Sequence, residues 1–180
     1  IEFGYSCMGY EIAGGWGVKI ARPANESIVL VGDGSYLMHN SDIYSSVFTG
    51  HKIIVIVCDN AGFAVINKLQ TNVGNSSFNN LLVDCRRPGD ALPRVDFAMH
   101  ARSQGAGAEK ISNIADFDAA FERAKQSPVS YAIAVDIDAS RWSSCDCWWD
   151  VGLPEVPHSP AHGQAVAEWN EGRLLQRPGN

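Results

Sequence analysis

The sequence predicts an α/β fold, a three-layer doubly wound sheet of parallel strands. Short β-branched apolar runs alternate with segments of helical spacing. The run from Lys52 to Cys58 is almost unbroken Ile and Val, the pattern of a strand covered on both faces, as parallel strands are. Glycine-rich turns close the first two runs, Gly32-Asp33-Gly34-Ser35 and Asp59-Asn60-Ala61-Gly62. Two parallel strands would bring both turns to the carboxyl edge of the sheet, where open α/β sheets bind ligands.

Each element has its own signal. From Cys7 to Ile20, Met8, Ile12, Trp16 and Ile20 recur every four positions, which is helical. The glycines between them each cost about 1 kcal/mol against alanine in a helix, so that helix must approach a sheet, a partner subunit or a cofactor very closely. Ser27 to Val31 is the first strand, Asp42 to Phe48 a helix, Lys52 to Cys58 the second strand and Phe63 to Leu69 a short helix. Asp96 to Gln104 reads as a helix capped by Asp96, Ala106 to Lys110 as a strand, Asn113 to Lys125 as a helix and Val129 to Asp136 as the last strand. Between Gln70 and Pro93 the pattern dissolves into Asn, Ser, Gly and Arg, either a segment closing over a bound group or a plain mobile loop. After Ala139 the composition turns to Trp and Pro. The organisation expected is a domain over 1–153 and an extension over 154–180, with Trp148-Trp149 ordered and the chain fraying after about Pro160.

Bulk properties narrow the function. The chain has 180 residues, 46% of them apolar, enough for one compact domain with a core. A net charge of −6 and the lack of clustered Lys and Arg argue against a nucleic-acid partner. No apolar stretch reaches the ~18 residues that span a bilayer, so the expectation is no membrane and a cytoplasmic location. Five cysteines are an odd set for a disulfide framework, and Cys145 and Cys147 lack the further ligands of a zinc site. The chain begins mid-pattern without Met, and reads as a piece of a larger protein.

The two turns carry the chemistry. Asp33 offers a carboxylate, Asn60 an amide oxygen, and the backbone nearby a carbonyl; such hard donors suit Mg²⁺ or Ca²⁺, and Mg²⁺ usually completes its shell with water and phosphate oxygens. N–H groups at Gly34 and Ser35 could hold those phosphate oxygens. The competing reading is a pair of ordinary βα turns in which Asp33 and Asn60 cap helices.

Gly32-Asp33-Gly34, 24 intervening residues and Asp59-Asn60 resemble the fingerprint of the thiamine diphosphate-dependent enzymes. The resemblance implies Mg²⁺ on Asp33, Asn60 and the Gly62 carbonyl, with Gly34 and Ser35 at the diphosphate and Phe63 and Val65 also at the cofactor. Ser6-Cys7-Met8-Gly9 is similar to the family segment that meets the aminopyrimidine ring. It implies contacts from the Ser6 carbonyl and the Met8 N–H, with the Met8 side chain holding the cofactor bent. The activating glutamate of that family comes from a separate domain, normally of another subunit. Glu2 and Glu11 lack its context, so the chain alone should bind weakly and not turn over. A missing pyrimidine-binding domain, in the same or a second subunit of a homo-oligomer, is therefore expected.

Within that family Gly4 to Gly14, Gly32 to Met38, Asp59 to Phe63, Ile66 to Gln70 and Trp148 to Val156 look like the trihydroxycyclohexane-dione hydrolases of myo-inositol catabolism. The likeness implies attack on one ketone of a cyclic 1,2-dione, C–C cleavage and hydrolytic release of an open-chain 5-deoxy-glucuronate. Residues 70–93 and the tail after His158 depart from the pattern, which leaves substrate contacts open; Asn67 and Gln70 are candidates, whereas His39, His51 and His100 read as structural. The catalytic residues are unknown from the sequence. An acetolactate synthase-like carboligase or 2-oxoacid decarboxylase shares the first motifs. A non-catalytic diphosphate-binding module is the alternative of another class, although no G-x-G-x-x-G turn is present.

Overall fold

The computed structural model describes residues 7–85, 89, 91, 94–142, 153 and 155–175. The chain forms two compact units, Ile1–Gly62 with Ala91–Asp138, and Phe63–Asp90 with Ala139–Asn180. This division differs from the composition shift expected at 153/154, because residues 63–90 group with the tail. Ser6, the Cys145/Cys147 pair and Trp148-Trp149 lie outside the described residues.

The first unit is built on four parallel strands, β1 (Ile28–Gly32), β2 (Ile54–Asp59), β3 (Gly107–Ile111) and β4 (Tyr131–Asp136), in the order β1-β2-β4-β3. Ile28 pairs with Ile54, Ile54 with Tyr131, and Gly107 with Tyr131, so all four strands point the same way. Parallel neighbours need crossovers, and helices supply them. Alternate side chains then face opposite layers. Val29, Val31, Val55, Val57, Ala132 and Ala134 pack on one face beneath α1 (Tyr10–Ala21), α2 (Asp33–Met38), α3 (Ser41–Phe48) and α5 (Phe97–Ser103). Ile54, Ile56, Ile133 and Val135 pack on the other beneath α6 (Phe117–Gln126), which a 3-10 turn at Ile114–Asp116 precedes. The result is the expected three-layer α/β architecture.

Close approach explains the glycine of α1 that matters most. A Cβ on Gly15 would lie 2.2 Å from Val29 Cγ2, while one on Gly17 would meet nothing within 4 Å. Of the three partners considered for that helix, the sheet is the one Gly15 meets. Ser27 Oγ donates to the Gly15 carbonyl at 2.7 Å and ties helix to strand. A buried polar link crosses the core lower down: Ser46 and Ser130 hydroxyls are 2.7 Å apart, and Ser130 Oγ accepts the Ile53 N–H at 3.1 Å.

Two segments differ from expectation. The helix between β1 and β2 comes as two pieces, α2 beginning at Asp33 itself and α3 at Ser41. Tyr36 ties the first piece to the core: wholly buried, it stacks edge-on to Phe97 and shares a 3.0 Å hydrogen bond with His100 Nδ1, which clamps α2 to α5.

The second unit contains α4 (Ala64–Asn72) and α7 (Pro160–Leu175). Instead of fraying after Pro160, the tail forms α7. Pro160 occupies the first helical position, where its missing N–H costs nothing, and Ser159 Oγ accepts the His162 N–H at 3.2 Å. Arg173 lies 4.5 Å over the Trp169 ring one turn earlier. The turn at Gly74, at φ +85°, presses against Ala161, and His162 Nε2 pairs with Asn75 Oδ1 at 3.1 Å. No described helix is long and apolar enough to cross a membrane.

Candidate functional site

Parallel pairing of β1 with β2 sets Gly32 beside Cys58, so the residues that follow each strand meet at one edge. Asp33 opens α2 and is 5% exposed. Its Oδ2 accepts the Gly62 N–H at 2.8 Å and its Oδ1 the Asn60 N–H at 3.3 Å. Burial pushes the Asp33 carboxyl above its usual range, the two N–H bonds pull it back, and the nearby Asp59 charge pushes it up again, for a net rise. Burial, helped by the Asp33 charge, also raises the Cys58 thiol above its usual range.

Neither Asp33 nor Asn60 caps a helix. Asp33 lies inside α2 and α4 is preceded by Phe63, with no side-chain capping bond at either start. The Asn60 side chain is used differently. One terminal atom of its carboxamide lies 2.8 Å from the Gly62 carbonyl oxygen and 3.1 Å from Asp33 Oδ1. As the amide nitrogen, that atom donates to both oxygens. With the amide turned over, three oxygens of carboxylate, amide and carbonyl type would converge on one point, a repulsive set unless a cation sits among them. That donor set is hard and suits Mg²⁺, so the residues present fit the metal.

The turn that achieves this is conformationally unusual. Ala61 has φ +62° and Gly62 φ 150°, the first in the left-handed region that alanine seldom adopts. Asp59 Oδ1 accepts the Ala61 N–H at 3.0 Å. Gly34 and Ser35, expected at a diphosphate, are buried in the first turn of α2. Met8 is half-buried in the turn before α1, and the adjoining Gly9, at φ +93°, would place a Cβ 2.7 Å from His39 Cβ at the end of α2. Phe63 and Val65 belong to the second unit, where the Phe63 N–H donates to the Asn80 carbonyl at 2.7 Å and Val65 is 49% exposed on α4.

Sequence reasoning missed the charges beside Asn60. Asp59, 3% exposed, pairs through Oδ2 with Arg94 Nη2 at 2.6 Å, and Arg94 also reaches Asp136 Oδ1 at 3.2 Å. Lys110 Nζ meets Asp136 Oδ2 at 2.9 Å. These groups line a cleft of about 420 Å³ at the carboxyl ends of β2, β3 and β4. Asp59 and Asp136 are register partners at the ends of adjacent strands, and two aspartates closing paired strands were the available signal that a cation must lie between them. Arg94 gives no signal of its own, since the segment before it has no periodicity.

Residues 1–135 match the family model for the thiamine pyrophosphate enzyme C-terminal TPP binding domain. The chain belongs to that family. Among curated proteins it is 40% identical to the 3D-(3,5/4)-trihydroxycyclohexane-1,2-dione hydrolase of Bacillus licheniformis, over 87% of this chain and 24% of that protein. It is 37% identical to hydrolase 1 of the same name from Bacillus cereus, over 98% of this chain and 28% of that one. The chain thus spans about a quarter of the length of these relatives. A solved structure, the thiamine diphosphate-dependent 4-hydroxybenzoylformate decarboxylase of Rhodococcus jostii RHA1, superposes with a TM-score of 0.59 at 21% identity, over 73% of this chain and 23% of that one. That likeness concerns the fold.

Proposed function

We propose that the chain is the cofactor-binding part of a thiamine diphosphate-dependent hydrolase that cleaves a C–C bond of trihydroxycyclohexane-1,2-dione to give 5-deoxy-glucuronate in inositol catabolism. The observation that carries the reading is that Asp33 Oδ1 and the Gly62 carbonyl oxygen both lie within hydrogen-bond distance of one terminal atom of the Asn60 carboxamide. The names of relatives 36 to 40% identical support the choice of substrate.

In this reading Asp33, Asn60 and the Gly62 carbonyl hold Mg²⁺, the Gly34 and Ser35 amides face the diphosphate, and Met8, with the Ser6 carbonyl, meets the pyrimidine end. The cofactor supplies the carbanion chemistry that breaks the C–C bond. The residues of this chain bind and orient, and the network of N–H groups on Asp33 fixes the carboxylate before any ligand arrives. An activating glutamate comes from a pyrimidine-binding domain outside this chain, in the same or a second subunit of a cytoplasmic homo-oligomer. By itself the chain binds weakly and does not turn over.

Two measurements test the reading. Calorimetry should show Mg²⁺-dependent binding of thiamine diphosphate, absent in Asp33→Ala, and no comparable binding of a dinucleotide. Turnover by the enzyme that contains this chain should occur with the cyclic dione; reaction with pyruvate alone would overturn the substrate assignment.

A further inference from the structure

We infer that Arg94 is a positioning residue for the cation site, acting through Asp59 on the backbone of Ala61. The inference rests on the metal reading above. Ala61 is an alanine held at φ +62° between the two residues whose oxygens converge with Asp33. It has no side-chain feature that favours this conformation, unlike Gly, Asn or Asp. What holds it is the 3.0 Å bond from its N–H to Asp59 Oδ1.

Asp59 can serve only if its carboxylate is fixed in plane and its charge is compensated, because it is 3% exposed. Arg94 does both. Its Nη2 lies 2.6 Å from Asp59 Oδ2, the oxygen that Ala61 does not use, and 3.2 Å from Asp136 on the neighbouring strand. A guanidinium anchored on two strand ends sets the orientation of the carboxylate. The carboxylate sets Ala61, and Ala61 sets the direction of the Asn60 side chain and the Gly62 carbonyl. Outer groups that orient ligands in this way commonly change metal affinity 10–100-fold when removed.

The test uses Mn²⁺ as the probe, read by calorimetry, together with hydrogen exchange of the metal-free protein. Arg94→Gln should weaken Mn²⁺ binding roughly tenfold or more and speed exchange at Ala61 and Gly62, while the amides of β1 and β4 keep their protection. Adding Asp59→Asn to Arg94→Gln should restore most of the affinity, since the carboxamide oxygen introduced there still accepts the Ala61 N–H and no buried charge is left over. Three results overturn the inference: Mn²⁺ affinity within about twofold of the parent in Arg94→Gln while Asp33→Ala has lost it, failure of the Asp59→Asn rescue, or exchange that rises evenly across the unit. A parent that binds Mn²⁺ no better than Asp33→Ala overturns the metal reading instead. In that event selective loosening at Ala61 and Gly62 still supports the link from Arg94 to the turn, and unchanged exchange there removes it.

Discussion

Asp33 and Gly62, 29 positions apart, are joined by a 2.8 Å hydrogen bond from the Gly62 N–H to Asp33 Oδ2. This bond closes the turn after β2 onto the start of α2, and it costs the carboxylate much of its contact with water. The sign of the resulting pH dependence follows. Burial raises the Asp33 pKa in the folded chain, so the native state binds more protons than the unfolded state just above the usual carboxylate range, and stability falls as pH rises through that window. Relative to Asp33→Asn, which cannot titrate, the metal-free parent should lose thermal stability as pH rises from about 4 through the range just above it. Melting curves in a chelator check this. Added Mg²⁺ should stabilise the parent more at the upper end of that range than at the lower, because only the ionised carboxylate is a ligand.

Gly15 and Gly17 lie on the same helix with opposite surroundings. An alanine Cβ at 15 meets stiff Val29 at 2.2 Å, whereas at 17 it meets nothing. Gly15→Ala should destabilise by about 1–3 kcal/mol through overpacking, outweighing a propensity gain of about 1 kcal/mol. Gly17→Ala should stabilise by about 0.5–1 kcal/mol. Urea midpoints of the two variants would show the opposite signs.

Removing the Ser130 hydroxyl leaves the buried Ile53 N–H without its side-chain acceptor and takes one of two partners from the Ser46 hydroxyl, which still donates to the Ile43 carbonyl at 2.7 Å. Ser130→Ala should cost about 1–3 kcal/mol. Since Ser46 belongs to the same small network, the double variant with Ser46→Ala should lose less than the sum of the two single losses. Equilibrium unfolding of all four forms measures that coupling.

Glu109 on β3 receives hydrogen bonds from Arg123 Nε at 2.9 Å and from the Tyr131 hydroxyl at 2.9 Å. The Arg123 bond is the main cause holding its carboxyl below the usual range. Its contribution is therefore present above the unfolded pKa and is lost as pH falls through the lower, folded value. Thermal scans should show Glu109→Gln melting a few °C at most below the parent at neutral pH, since Arg123 is exposed and the pair is screened by solvent. The difference should shrink in acid.

Much of this fold was legible because its signals are local. The β-branched run at Lys52 to Cys58 and the four-residue spacing from Met8 to Ile20 are patterns carried by neighbouring residues, and the structure places a strand at Ile54–Asp59 and a helix at Tyr10–Ala21. The tail was harder to read. α7 has no apolar stripe, and its start depends on Pro160 and Ser159, which look the same in a turn. The short α2 was hidden for a related reason, since Tyr36 earns its place against Phe97 and His100, residues more than sixty positions away.

By itself the sequence determined the alternation of strand and helix, the parallel sheet, and the pair of glycine turns carrying Asp33 and Asn60. All of these follow from periodicity and from the backbone freedom of residues close together in the chain. Only the tertiary structure decided that the Asn60 carboxamide and the Gly62 carbonyl turn toward Asp33, and that Arg94 stands behind them on Asp59 and Asp136. Those arrangements arise where buried charges must find partners across strands, and the choice of partner depends on distance in space, which the order of residues does not record.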